Sequence, residues 1–160
     1  MDESSLLLST AEVSVAFAGF IGIFLALAAG EGRFPAADSF QIRLIVICSI
    51  APVFLAVLPL ILDLLGLGGS ALWRLSSGVI LLAEVAVTLY LVGQARALSG
   101  GEGRKLNYGF VLWVLASVAC LVNAAGWPWP PSGGVYLVAV WSIVGIAAGN
   151  FVELLFRKLL

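Results

Sequence analysis

The sequence predicts an all-α, polytopic integral membrane protein with five transmembrane helices. Hydrophobic residues make up 62% and charged residues 11% of the 160 residues, and the mean hydropathy is +1.14, values far outside those of soluble domains. The apolar residues form five stretches, each close to the ~20 residues that a helix needs to cross ~30 Å of hydrocarbon. They are too uniformly apolar for the alternating strands of a membrane barrel. The predicted spans are Ala11 to Gly30, Ile42 to Gly66, Leu72 to Ala97, Tyr108 to Gly126 and Val135 to Leu155.

The segments between these spans are short, which predicts a single transmembrane domain over residues 1–160. The amino-terminal stretch "MDESSLLLST" contains no Lys or Arg and so lacks the basic region of a secretory signal peptide. We therefore expect the first span to be retained in the membrane.

The basic residues predict the orientation, because Lys and Arg concentrate in the cytoplasmic loops of membrane proteins. With five spans, seven of the eight basic residues fall on one side and only Arg74 on the other. This count predicts an outside amino terminus and a cytoplasmic carboxyl terminus. Trp127 and Trp129, in the outer loop "GWPWPPSGG", suit an interfacial aromatic belt. The seven residues are Arg33, Arg43, Arg96, Arg104, Lys105, Arg157 and Lys158.

Several classes of function are disfavoured by what the sequence lacks. There is no histidine, which removes the commonest general base and the usual haem and zinc ligand, and no nucleotide-binding or nucleophile-elbow motif is present. Cys48 and Cys120 lie inside spans at different depths, so we interpret them as small buried hydrophobes without a disulfide. We expect no enzyme activity, metal or cofactor. A net charge of −1 disfavours nucleic acid, which leaves the bilayer, another copy of the chain or another membrane protein as partners.

Glu84 is the one acidic residue of the third span and lies near its middle, too deep for its side chain to reach water. Ser77 and Thr88 fall within roughly 40° of it on a helix and extend a polar stripe. An ionised side chain at this depth costs ~2.5 to 3.5 kcal/mol or more. One interpretation is a neutral carboxyl bonded to a serine of a neighbouring helix, with Ser49, Ser117 and Ser142 as candidates. The other is a titratable site in a path for protons or cations.

Other polar residues extend this possible path in order of depth. Glu12 and Asp63 belong to an outer layer, where Asp63 could pair with Arg74 across a tight turn, and Asn150 belongs to an inner layer. An acidic mouth, a central glutamate and a mixed inner vestibule would then follow one another. The alternative for both layers is interfacial ion pairs, snorkelling side chains and headgroup contacts.

Small residues predict close helix packing at two places. The last span contains Gly145 and Gly149 in a GxxxG pattern, and the first span contains the stripe Ser14, Ala18 and Gly22. Such patterns let helix backbones approach closely. We expect these two helices to pair, within one protomer or between protomers.

The second span contains Pro52 and Pro59, seven residues apart and therefore on one face. Each proline lacks an amide donor and frees a carbonyl one turn earlier, near Cys48 and Leu55 respectively. A kink at these positions could line a pathway or serve packing alone.

Two segments, "AEVSVAFAGFIGIFLAL" (11–27) and "YLVAVWSIVGIAAGNFVELL" (136–155), with a basic residue ahead of the second span, resemble a recurring type of small bacterial multi-pass membrane protein that has no assigned activity. The resemblance implies a bacterial inner membrane and indicates nothing about sites.

Two functional hypotheses follow. The first is a small homo-oligomeric channel or transporter for protons or cations, with Glu84 as the titratable or coordinating group, since five short helices seldom enclose a pore alone. The second is a non-conducting membrane scaffold or accessory subunit in which Glu84 is a satisfied buried acid. A monomer in which a serine caps Glu84 would favour the second hypothesis.

Overall fold

A computed structural model describes residues 3–29, 36–98 and 108–159, and these form five helices with no strand among them. The prediction of an all-α fold is confirmed, since each helix overlaps one of the five predicted spans. The helices are α1 (Glu3–Ala29), α2 (Ala36–Leu64), α3 (Gly69–Leu98), α4 (Tyr108–Ala125) and α5 (Gly133–Leu159).

Four of these helices are long and apolar enough to cross a membrane, through the segments Glu3–Leu27, Gln41–Leu64, Gly69–Tyr90 and Gly133–Phe156. The apolar segment of α4, Gly109–Ala125, is shorter. Three of the basic residues used to predict the orientation, Arg33, Arg104 and Lys105, lie outside the described residues.

α1 begins at Glu3, eight residues before the predicted start of the first span. Within this extension, the Thr10 hydroxyl donates to the Leu6 carbonyl of the same helix at 2.8 Å. Leu7 is buried in the bundle core, and an acidic residue in the first turn, Glu3, complements the helix dipole. A tail that reads as polar from its composition is therefore part of the helix.

α5 is the central helix and packs mainly against α2 and α4, while α1 packs on α2 and α3 on α4. In the most apolar stretch of α5, 56% of the residues are buried, against 17% in that of α1. Tyr136, Ala139, Val140, Ile143 and Ala147 recur at helical spacing along α5 and are all in the core.

The turn between α2 and α3 is closed by a glycine in the left-handed region. Gly66 has a φ of +86°, its amide donates to the Asp63 carbonyl at 2.9 Å, and the Leu67 amide donates to the Leu62 carbonyl at 3.0 Å. This pair of bonds is a Schellman motif, which ends a helix by satisfying its last carbonyls. It brings α3 back beside α2 as an antiparallel neighbour.

Candidate functional site

Glu84 is buried inside the protomer, with 5% of its surface exposed, and it faces Ser117 of α4. The Ser117 hydroxyl oxygen lies 2.8 Å from Glu84 Oε2 and 3.0 Å from the carbonyl oxygen of Trp113. A hydroxyl carries one proton and cannot make a full hydrogen bond to both acceptors at once. A neutral Glu84 resolves the competition, because its own O–H donates to Ser117, whose hydroxyl then donates to Trp113. The contacts therefore fit a protonated carboxyl that links α3 to α4.

The second carboxyl oxygen of Glu84 has a different environment. Oε1 is buried and has no hydrogen-bond partner in the described part of the chain. A partly open cavity of about 30 Å³ lies beside Glu84, between α2, α3, α4 and α5. Its other walls are apolar and include Cys48, Ile80, Trp113 and Ile143. A space of this size has room for a single water molecule.

The remaining residues of the predicted path lie in separate places. Ser77 is buried and accepts a hydrogen bond from Asn123 Nδ2 at 2.9 Å. Asn150 is buried near the other end of the bundle, where its Nδ2 donates to the Ile146 carbonyl of its own helix at 2.8 Å. Thr88, Glu12 and Asp63 are exposed on the outside of the bundle. The structure thus brings Glu84 together with Ser117, which sequence reasoning named only as one of three candidates.

Arg74 also has a different neighbour from the one expected. Its guanidinium lies against Gly126 at the end of α4, where a Cβ would come within 2.5 Å of Nη2. Gly126 has a φ of +70°, and the carboxyl end of a helix carries partial negative charge that favours a cation. Within the described residues, no ion pair joins Arg74 to Asp63; the end of α4 takes the place of the expected carboxylate.

Asn123 forms a polar clamp that no sequence pattern indicated. Its Oδ1 accepts from the Ser132 amide at 2.8 Å, and its Nδ2 donates to the Ser132 carbonyl at 3.1 Å as well as to Ser77. The amide of one buried side chain therefore ties α4 to α3 and to the residue that precedes α5. In sequence, Asn123 was only one more polar residue near a helix end.

Tyr136 supplies a hydrogen-bond donor that a proline removes from the backbone of α2. Because Pro59 has no amide hydrogen, the carbonyl of Leu55 has no donor within its own helix. The Tyr136 hydroxyl donates to this carbonyl at 2.6 Å. Pro52 and Pro59 are both buried inside α2. The Leu55 carbonyl, which Pro59 leaves without a donor, therefore joins α2 to α5 through Tyr136.

The small residues predicted to bring helices together have unequal surroundings. A Cβ on Gly145 would lie 3.1 Å from Leu112 Cδ1, so within the protomer this glycine faces α4. Gly149 is half-buried on the same helix. In α1, Ser14 is buried and donates to the Thr10 carbonyl at 2.7 Å, and Ala18 is half-buried.

Gly22, by contrast, is exposed, and a Cβ there would meet no atom within 4 Å. α1 and α5 meet through aromatic rings, among other side chains. The ring of Phe151 meets those of Phe17, Phe20 and Phe24 edge-on, at centroid distances of 6.3, 5.6 and 5.1 Å.

No protein-family model matches this sequence, and no curated protein or solved structure is significantly similar to it. Among the described residues, no three Cys, Asp or Glu side chains are grouped so that they could hold a metal ion. Cys48 and Cys120 are both buried as free thiols. The buried polar side chains of this site hold neighbouring helices together through individual hydrogen bonds.

Proposed function

We propose that this chain is an integral membrane protein of the bacterial inner membrane that acts as a non-conducting scaffold or accessory subunit. Its outer surface supports the membrane location, since Ile23, Phe54 and Leu82, on three different helices, are 65%, 71% and 73% exposed. Monomeric soluble proteins rarely expose apolar area on this scale. Lipid would cover these side chains, with Trp127 and Trp129, also exposed, at the outer interface.

The observation that carries the scaffold role is the contact between Glu84 and Ser117 inside one protomer. A group that binds and releases ions needs a route to water, whereas this carboxyl is buried, adjoins only apolar side chains in the cavity beside it and is bonded to a neighbouring helix. Asn123, Tyr136 and Gln41 likewise bond across helices or to a loop: Gln41 Nε2, on α2, donates to the Asn150 carbonyl of α5 at 2.8 Å. Buried polar groups that are bonded in this way stabilise and specify a helix arrangement.

Such a protomer leaves its lipid-facing surface available for assembly. A scaffold or accessory subunit contacts other membrane proteins, or further copies of itself, through that surface. Interhelical packing in lipid relies on close contact and occasional hydrogen bonds, because lipid tails are as apolar as the side chains.

The test is the access of water to residue 84. In a Cys48→Ala, Cys120→Ala background, Glu84→Cys is compared with Asp63→Cys, an exposed position at the end of α2, using a membrane-impermeant thiol reagent added to both faces of reconstituted vesicles. We expect Asp63→Cys to react and Glu84→Cys to react only after unfolding in SDS. Comparable reaction rates at the two positions in folded protein would refute the scaffold proposal.

A second candidate, the transport of protons or cations, is favoured by one specific observation. Glu84 Oε1 lacks a partner among the described residues, and the partly open cavity beside Glu84 has the volume of one water molecule. In that case Glu84 would exchange its proton with water that enters from one side. Reaction of Glu84→Cys in the folded protein would support this function over the first.

A further inference from the structure

The cavity beside Glu84 adjoins one unsatisfied oxygen on α3. Glu84 is 5% exposed, and its Oε2 lies 2.8 Å from the Ser117 hydroxyl oxygen on α4. In the neutral carboxyl that fits this contact, the O–H at Oε2 donates to Ser117, so Oε1 is a carbonyl oxygen that can only accept a hydrogen bond. Oε1 is buried, and none of the described residues donates to it. Glu84 therefore has a buried, unused acceptor next to a space of about 30 Å³.

The same cavity adjoins a carbonyl on α2 that its own helix leaves without a donor. Cys48 and Ala51, one turn apart, both line the cavity, and a helix carbonyl points along the axis toward the amide four residues further on. For Cys48 that residue is Pro52, which lies inside α2 and has no amide hydrogen. No side chain in the described part of the chain donates to the Cys48 carbonyl, whereas Tyr136 donates to the Leu55 carbonyl at the other proline. The Cys48 carbonyl is thus a second acceptor at the wall of the cavity.

The turn between α2 and α3 places these two acceptors at the same level. The helices are antiparallel neighbours on either side of Gly66, and Cys48 and Glu84 lie eighteen residues before and after it. Because the rise per residue is the same in both helices, the two residues lie opposite each other across the cavity that both of them line.

Two acceptors on opposite sides of a space of this size are complementary to a water molecule. Water has two O–H donors, and a buried water needs at least two polar partners and a cavity of roughly 10–15 Å³ or more. A single water can donate to both oxygens at once, which an apolar occupant cannot do. Without a donor, each oxygen would be a buried polar group that lowers the stability of the fold.

We propose that this cavity is a binding site for one water molecule, which donates to Glu84 Oε1 and to the Cys48 carbonyl and so links α3 to α2. The water supplies at Pro52 the donor that the Tyr136 hydroxyl supplies at Pro59. This inference rests on the proposed scaffold function and deepens it, because it makes both oxygens of Glu84 contacts between helices.

A crystal structure from lipid-grown crystals, at a resolution that shows ordered water, tests the site directly. We expect one density peak within hydrogen-bonding distance of both Glu84 Oε1 and the Cys48 carbonyl oxygen. Glu84→Gln should keep the peak, because its amide oxygen still accepts while its nitrogen donates to Ser117. Glu84→Leu should lose the peak. A well-ordered bundle without the peak, or the elongated density of an acyl chain that enters past the exposed Ala83, would overturn the proposal.

A double-mutant cycle tests the bridge in solution, with the shift of the midpoint of SDS-driven unfolding as the readout. Glu84→Leu removes the water and leaves the Cys48 carbonyl without a donor. Pro52→Ala restores an amide to that carbonyl, so Glu84→Leu should shift the midpoint less in this background than in the wild type. Pro59→Ala is the matched control, because it restores a donor to Leu55, and there the shift should equal that in the wild type.

An equal shift for Glu84→Leu with and without Pro52 would overturn the water bridge. Failure of the scaffold function is measured separately, through the reaction of Glu84→Cys with the impermeant thiol reagent. A reactive Glu84→Cys together with a peak and a positive cycle would contradict the scaffold proposal alone. An unreactive Glu84→Cys without a peak would contradict the water site alone.

Discussion

Removing the hydroxyl of Tyr136 tests whether buried polar side chains hold this bundle together. Tyr136→Phe keeps the buried ring and its contact with Trp73, at a centroid distance of 5.8 Å, but leaves the Leu55 carbonyl without its donor at 2.6 Å. Pro59 has no amide to replace it. An unsatisfied buried carbonyl costs about 1–3 kcal/mol, and we expect the free energy of unfolding to fall by that amount.

The proline makes this prediction specific. Pro59→Ala restores an amide donor one turn after Leu55, so Tyr136→Phe should cost less in that background, with a coupling of about 1 kcal/mol or more in a double-mutant cycle. Pro52→Ala is the matched control, because it restores a donor to the carbonyl of Cys48 and not to that of Leu55. In the Pro52→Ala background the cost of Tyr136→Phe should stay unchanged.

The assay is equilibrium unfolding in mixed micelles, driven by SDS and followed by circular dichroism and by tryptophan fluorescence. Each of the variants is measured against the wild type under one lipid composition. An equal loss for Tyr136→Phe with and without Pro59 would refute the reasoning, because the hydroxyl would then not compensate for the proline.

Three further predictions use the same unfolding assay. Asn123→Leu should lower the free energy of unfolding by about 1–3 kcal/mol. Ser77→Ala removes one of the hydrogen bonds of Asn123 and should lower it by about 1 kcal/mol. Equal losses for the two variants would argue against a clamp. Gly145→Leu should cost about 1–3 kcal/mol through overpacking, and adding Leu112→Ala, which removes the side chain 3.1 Å from that Cβ, should recover part of it. Phe151→Ala should lose about 3–5 kcal/mol, and a loss below ~1 kcal/mol would show that its ring contacts contribute little.

Hydrophobicity and helix length were sufficient to predict the five helices, because in lipid each span must satisfy its own backbone. They did not predict where α1 begins. Glu3 and Ser4 read as a polar tail, yet Leu7 is buried and Glu3 meets the start of α5. That contact is between helices far apart in sequence, so no local pattern indicates it.

The partner of Glu84 illustrates what a single sequence leaves open. Ser49, Ser117 and Ser142 were equally suitable by depth, but Ser49 and Ser142 donate to carbonyls of their own helices, at 3.0 and 2.8 Å. Only Ser117 also reaches the carboxyl. Periodicity gives the face of one helix, whereas the choice between these serines depends on which helices are neighbours.

The prolines were more informative than the serines. The absence of an amide at Pro59 predicts an unsatisfied Leu55 carbonyl from chemistry alone, and that carbonyl does accept a bond from another helix. The donor, Tyr136, lies 81 residues away and no local pattern indicates it. A sequence can thus show which backbone carbonyl lacks a donor in its own helix. Identifying the side chain that supplies the donor requires the fold.

Ion flux through the reconstituted protein tests the central claim most directly. Vesicles that contain the wild type or Glu84→Gln are loaded with a proton or potassium gradient, and its decay is compared with that in protein-free vesicles. The scaffold account predicts that neither protein accelerates the decay. Flux through the wild type that is lost in Glu84→Gln would contradict it and would make Glu84 a transport site.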